Sequence, residues 1–135
     1  MTKLYLGIDP GRSKTGLALV DGVGKIIKLH LAESQNIGNE IVEFIKNSCP
    51  VQIVLGNGTN SRNICEMVQR VLPDVKVIVV EEAHSTEEAR TLYWQENPPK
   101  GLKKLIPLGL LVPPVPLDAY AAVILVRRFL EDNHE

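Results

Sequence analysis

Leu4-Tyr5-Leu6-Gly7-Ile8-Asp9-Pro10-Gly11, with its continuation Thr15-Gly16-Leu17-Ala18-Leu19-Val20, decides how the rest of the chain reads. The first run is an apolar strand that ends on a carboxylate. A tight turn follows, and the second run comes back beside the first. Pro10 fixes its own φ, and Gly11 offers the positive φ that a sharp turn often needs. Gly16 leaves room for backbone or ligand to approach the start of the second strand. Asp9 is thereby placed at the mouth of a buried sheet, where a charged group is costly unless it is paired or holds a metal. Asp is also a common turn former. Whether Asp9 does more than cap the turn depends on whether other carboxylates reach the same end of the sheet.

Working outward, strands at about 3–9 and 15–21 are followed by the turn Asp21-Gly22-Val23-Gly24 and a third strand at 25–31, an antiparallel meander. His30 falls inside that third strand and reads as a satisfied strand residue, not a ligand. A helix over about 36–48 presents Ile37, Ile41, Val42, Phe44 and Ile45 on one side and stops before Pro50. The β-branched run 51–55 reads as a buried strand ending at Gly56-Asn57-Gly58-Thr59. Asn60 or Ser61 can then cap a helix whose apolar positions are Ile64, Met67, Val68, Val71 and Leu72. Residues 75–80 form the next strand and deliver Glu81 and Glu82 at its end. Ser85 and Glu88 have capping-box spacing, so a helix is expected from Thr86 to Glu96.

From 98 to 116 the character changes. Six of the nine prolines fall there, with the basic run Lys100-Gly101-Leu102-Lys103-Lys104, so this is a long loop of the kind that is usually functional. Its apolar part, Ile106–Val112, either tucks into the core or makes a partner surface. A final helix over about 117–131 carries Asp118 in its first turn, on the side shared with Ala121, Ala122 and Leu125. Asp118 therefore points toward the sheet, although helix capping is its other available role.

Composition removes several classes. Fifteen basic against sixteen acidic residues leave a net charge of −1, so nucleic acid would have to be held by local patches and not by a global field. Cys49 and Cys65 lack metal-site spacing and suit a reducing compartment. The N-terminus runs straight into a strand, and no apolar run is long enough for a bilayer. One cytoplasmic domain over 1–135 is expected, with no membrane partner.

These motifs resemble the YqgF (RuvX) family of the RNase H-like superfamily, related to the RuvC Holliday-junction resolvases. Gly7-Ile8-Asp9-Pro10-Gly11 with Gly16 and Ala18 is similar to the family's first-strand motif. Glu81 through Arg90 resembles its acidic segment, and Leu117-Asp118-Ala119-Tyr120-Ala121-Ala122 its terminal helix. Ala83 stands where common members have Arg, and Val115 where RuvC resolvases carry a further acid. Gly56-Asn57-Gly58-Thr59 with Ser61-Arg62, and the pair Glu82-Ala83, look more like the YqgF-type domain of the transcription accessory protein Tex. The resemblance implies an α/β RNase H-like fold, with a five-stranded mixed sheet flanked by helices. It also implies a nuclease on branched DNA or precursor rRNA, in which Asp9 bridges two metal ions and Glu82 and Asp118 each complete one site.

The residues point the same way by themselves. Asp9, Glu82 (or Glu81) and Asp118 converge on one point. An all-oxygen set without His or Cys calls for a hard cation, Mg²⁺ or Mn²⁺. Glu82 is favoured because Glu81 should face the other side of its strand. Arg12, Lys14, Arg62, Lys100, Lys103 and Lys104 are candidates for phosphate contacts, which fix position without reading sequence. No aromatic stacking platform is evident, so nothing separates DNA from RNA. Two further classes stay open: a non-catalytic nucleic-acid or protein-binding module of the same fold, and an actin-like phosphotransferase, for which the chain is short. A homodimer would suit a two-fold junction.

Overall fold

The computed structural model describes residues 3–83 and 85–133; His84, within the acidic segment quoted above, lies outside them. Five strands form one sheet: β1 (Leu4–Asp9), β2 (Lys14–Asp21), β3 (Ile26–Glu33), β4 (Gln52–Gly56) and β5 (Val77–Val80). Their order is β3-β2-β1-β4-β5. β1–β2 and β2–β3 pair antiparallel, while β1–β4 and β4–β5 pair parallel. The expected five-stranded mixed sheet is therefore present. β1 is central, and its inner residues Leu6, Gly7 and Ile8 are buried, as a strand covered on both faces requires.

Four helices cover the sheet: α1 (Ile37–Phe44), α2 (Ser61–Val71), α3 (Ser85–Glu96) and α4 (Asp118–Asp132). On one side, Leu6, Ile8, Leu17, Leu19, Ile53 and Leu55 pack with α1 and α2 through Ile37, Ile41, Ile64 and Val68. On the other, Ala18, Val20 and Val54 meet Ala121, Ala122, Leu125 and Val126 of α4, backed by Ala89 and Leu92 of α3. Successive strand residues alternate between these two cores, as the period of two demands.

Several expectations are corrected. α1 ends at Phe44, not near 48, and the chain turns back through Asn47 at φ 69°. β3 runs two residues further than expected, to Glu33, and β5 begins only at Val77. Gly11 does not take positive φ; among the described glycines only Gly24 and Gly101 do. Gly11 is needed for space, since a β-carbon there would lie 2.2 Å from the Lys14 carbonyl oxygen. Asn60 does not cap α2 with its side chain, which is used elsewhere. Ser85 is the first helical residue of α3 and not its cap, and its N–H donates to the Glu82 carbonyl at 2.9 Å.

The segment between α3 and α4 contains two short 3-10 turns, Gly101–Leu105 and Leu108–Leu110. Only Leu111 of its apolar residues is buried, against Tyr93 and Trp94. Leu102, Leu105, Leu110 and Val112 are exposed, so most of the segment stays out of the core. His30 is satisfied as expected: its Nε2 meets Glu40 Oε1 at 2.6 Å and its ring stacks on Phe44. That bond, with the Glu33 N–H, holds the Glu40 carboxyl below the usual range.

Candidate active site

β1, β4 and β5 run parallel, so their carboxyl ends lie together. The chain leaves β1 toward β2 on one side and meets β4 on the other. Ligands of open α/β sheets bind in the crevice outside such strand ends. Asp9 is the last residue of β1, and Glu82 follows β5 by two positions. Asp118 opens α4, which lies across β1 and β2.

Asp9 is partly buried among acids. Loss of solvent raises its carboxyl first; a hydrogen bond with Glu82 and the charges of Glu82 and Asp118 raise it further, to about 8. The Asp118 carboxyl is also raised, by burial and then by the Glu82 charge. Asp9 thus keeps its proton at neutral pH, with Glu82 beside it and Asp118 acting on it through space. Glu82 Oε1 is buried with no hydrogen-bond partner among the described residues. Glu81, by contrast, is exposed, and its carbonyl accepts from Arg128 Nη1 at 2.9 Å.

Small residues make these approaches. The Glu82 carboxylate lies over Gly56 and Gly58 at the end of β4, where a β-carbon at either would overlap it. The Gly16 backbone lies against the Asp118 main chain with no space for a side chain. Two asparagines whose sequence positions suggest only a turn residue and a helix cap tie the loops together. Asn57 Oδ1 accepts the Glu82 N–H at 3.1 Å, and the Asn57 N–H donates to Val80 at 3.0 Å, so Glu82 is clamped to the end of β4. Asn60 Nδ2 donates to the Gly11 carbonyl at 3.1 Å. Ser34 Oγ donates to that same carbonyl at 2.8 Å and lies 2.7 Å from Thr15 Oγ1, both hydroxyls being buried. The turn after Asp9 is thereby fixed from three elements.

The donors suit a hard divalent cation: they are carboxylates, and one oxygen is buried without a partner. Among the described residues, however, no three His, Cys, Asp or Glu side chains already stand in metal-holding geometry. A cation would have to displace the Asp9 proton and draw the groups together.

The basic residues are more scattered. Lys14 pairs with Glu33 at the sheet edge. Arg12 lines a cleft of about 260 Å³ with Asn60, Asn63 and Arg70, while Arg62 is exposed on the first turn of α2. Lys100 and Lys103 line a different cleft, beside Tyr93 and Trp94, and Lys104 is exposed next to them. Tyr93 also makes edge contacts with Trp94 and Tyr120, at ring-centroid distances of 4.9 and 5.4 Å. This aromatic cluster escaped the sequence reading; the adjacent Tyr93-Trp94 pair facing a proline-rich loop was the available signal.

Two solved structures are similar over almost the whole chain. The Thermus thermophilus RuvC structure aligns with a TM-score of 0.58 at 14% identity, covering 96% of this chain and 94% of that one. The T. thermophilus RuvC in complex with Holliday junction substrate aligns with the same TM-score and identity, covering 98% and 97%. The chain has the RuvC fold. That is the RNase H-like architecture expected from the sequence. No protein-family model matches the chain, and neither does any curated protein sequence. Membership of the YqgF family therefore stays a resemblance of motifs. No described helix is long and apolar enough to cross a membrane.

Proposed function

We propose that this chain is a Mg²⁺- or Mn²⁺-dependent nuclease that hydrolyses phosphodiester bonds in structured nucleic acid, with Asp9, Glu82 and Asp118 as its ligand set. The observation that carries the reading is the placement of Asp9 and Glu82 at the carboxyl ends of β1 and β5 with Asp118 opening α4, close enough that the Glu82 and Asp118 charges add to burial in raising the Asp9 carboxyl. Carboxylates gathered without a counter-charge are stable only as a proton- or cation-binding set. A bound pair of divalent ions supplies an activated water and neutralises the leaving oxygen. Asp9, whose carboxyl feels the charges of both other acids, would hold metal together with them. Glu82 and Asp118 flank it, and Asn57 holds the Glu82 main chain in position.

Arg12, Lys14, Arg62, Lys100, Lys103 and Lys104 would hold substrate phosphates. The substrate class is a branched DNA junction, the substrate that one of the similar structures contains, or a precursor rRNA, as the motif resemblance suggests. The exposed Leu102, Leu105, Leu110 and Val112 offer an apolar surface through which two copies would pair on a two-fold substrate. Sedimentation as a monomer with junction bound would remove the dimer and favour the RNA substrate. The compartment we propose is the cytoplasm.

A second reading, a binding module without catalysis, is favoured by the lack of ready metal-holding geometry among the described residues. Melting curves in EDTA and in Mn²⁺ for wild type, Asp9→Asn, Glu82→Gln and Asp118→Asn separate the two. The nuclease reading expects Mn²⁺ to raise the wild-type melting temperature and each variant's less, with cleavage lost in all three. If Mn²⁺ moves none of them, the binding module takes its place.

A further inference from the structure

We propose that Ser34 is a positioning residue for the carboxylate site: its hydroxyl closes a buried ring of hydrogen bonds around the turn that follows Asp9, and so keeps Asp9 in place to receive a cation. Ser34 and Thr15 are both buried. Ser34 Oγ donates to the Gly11 carbonyl at 2.8 Å. A serine hydroxyl carries one proton, so at the 2.7 Å contact between Ser34 Oγ and Thr15 Oγ1 the Thr15 hydroxyl must be the donor. Thr15 Oγ1 in turn accepts the Gly11 N–H at a long 3.4 Å. The bonds run in a closed circuit from the Gly11 N–H through Thr15 and Ser34 to the Gly11 carbonyl, each polarising the next. Ser34 holds the turn a second time through its main chain, whose N–H donates to the Ser13 carbonyl at 2.9 Å.

The restraint falls where the chain is softest. Asp9 faces Gly16 across the β1–β2 pair, and residues 10–15 join them. Pro10 has a fixed φ, which leaves Gly11, free of a β-carbon, as the pliant link nearest Asp9. At Gly11 the N–H is taken by Thr15, and the carbonyl by both Ser34 and Asn60. The need for such a hold comes from charge. A cation is bound by ionised carboxylates, and an ionised Asp9 feels the charges of Glu82 and Asp118. An unrestrained turn would let Asp9 back away, and binding would then have to order the turn again at an entropic cost. Ser34 follows β3, the edge of the sheet opposite β5, so the restraint comes from outside the acid-bearing strands. This inference rests on the metal-dependent reading above and adds the residue that prepares its site.

Stability and positioning can be separated by experiment. Ser34→Ala leaves the Thr15 hydroxyl buried without its acceptor, whereas Thr15→Val/Ser34→Ala removes both hydroxyls and orphans neither. In EDTA the single variant should melt several degrees below wild type, and the double variant close to it. Mn²⁺ affinity, read on the full chain from the electron paramagnetic resonance signal of the free ion, should not follow stability. The Mn²⁺ compared is that which wild type binds and Asp9→Asn loses. Both the single and the double variant should hold it several-fold more weakly than wild type. Thr15→Ser, which keeps the ring, should hold it as wild type does. If the double variant binds Mn²⁺ as tightly as wild type, or Thr15→Ser binds it as weakly as the double variant, Ser34 is part of the fold alone; the inference is then overturned and the metal reading survives. If wild type binds no Mn²⁺ that Asp9→Asn removes, the role of Ser34 and the metal-dependent reading fall together.

Discussion

Gly16 and Asp118 meet backbone to backbone: a β-carbon on Gly16 would stand 2.0 Å from the Asp118 carbonyl oxygen and 2.6 Å from the Ala119 nitrogen. Neither atom can swing aside as a side-chain tip could. Gly16→Ala must lift the first turn of α4 off β2. Overpacking against backbone belongs at the upper end of its usual range, so a loss of about 3 kcal/mol is expected. Thermal melts should show a fall of roughly 10 °C. An unchanged melting temperature would mean that α4 does not lie this close to the sheet.

Gly58 makes the instructive contrast. A β-carbon there would lie 2.1 Å from Glu82 Oε2, the far end of a flexible side chain. Gly58→Ala should therefore cost less than about 1 kcal/mol, because the carboxylate and not the fold gives way. Cleavage should nevertheless be lost as Glu82 is pushed from Asp9. Full activity in a stable Gly58→Ala protein would exclude Glu82 from the chemistry.

Stability without metal should fall as pH rises. The Asp9 carboxyl titrates near 8 in the folded chain against a reference of 3.8. Below the reference value both states hold the proton and the contribution is complete. Between the two values the unfolded chain releases its proton while the folded chain keeps it, so stability drains away until about pH 8. Asp118, raised in the same direction, adds to the fall. Urea melts in EDTA across this range should show the loss in wild type and a much flatter profile in Asp9→Asn. Because a cation must displace the Asp9 proton, the stabilisation by Mn²⁺ should grow over the same range. A wild-type profile as flat as that of Asp9→Asn would contradict the raised Asp9 carboxyl.

Asn60 combines two roles that can be separated. Its φ is 70°, a left-handed conformation, and its side chain donates to Gly11. Asn60→Gly keeps the backbone relaxed and loses only the hydrogen bond, for about 1 kcal/mol. Asn60→Ala adds the left-handed penalty, for ~1–2 kcal/mol more. Equal stability of the two variants would show that the backbone at this position is not strained by a β-carbon.

The fold was legible because its signals are local. Apolar runs ending on Asp9 and Glu82, and the helical spacing of Ile64 and Val68, each specify an element without reference to distant chain. The sequence also indicated that Gly16 would face something close, though not that the partner is the backbone of Asp118. What it could not show is long-range polar pairing. Asn57 and Asn60 read as turn formers or caps, yet their side chains bond across the structure to Glu82 and Gly11. The destination of such a group depends on which loop faces it, and periodicity carries no such information. The surface exposure of the 106–112 segment was undecided for the same reason: its hydrophobicity fits a core and a partner surface alike.

The central place of β1 has a consequence for how the molecule is made. During synthesis β1 can pair with β2 almost at once, but its other edge waits for β4, and α4 covers it last. Asp118 leaves the ribosome on the order of 5–20 s after Asp9 at ordinary elongation rates. For that interval the nascent chain lacks Asp118, with the meander exposing the face that α4 will later occupy. A chain released before α4 would have all five strands and Asp9 and Glu82, but not Asp118. Emergence of α4 is thus what adds Asp118 to the Asp9–Glu82 pair.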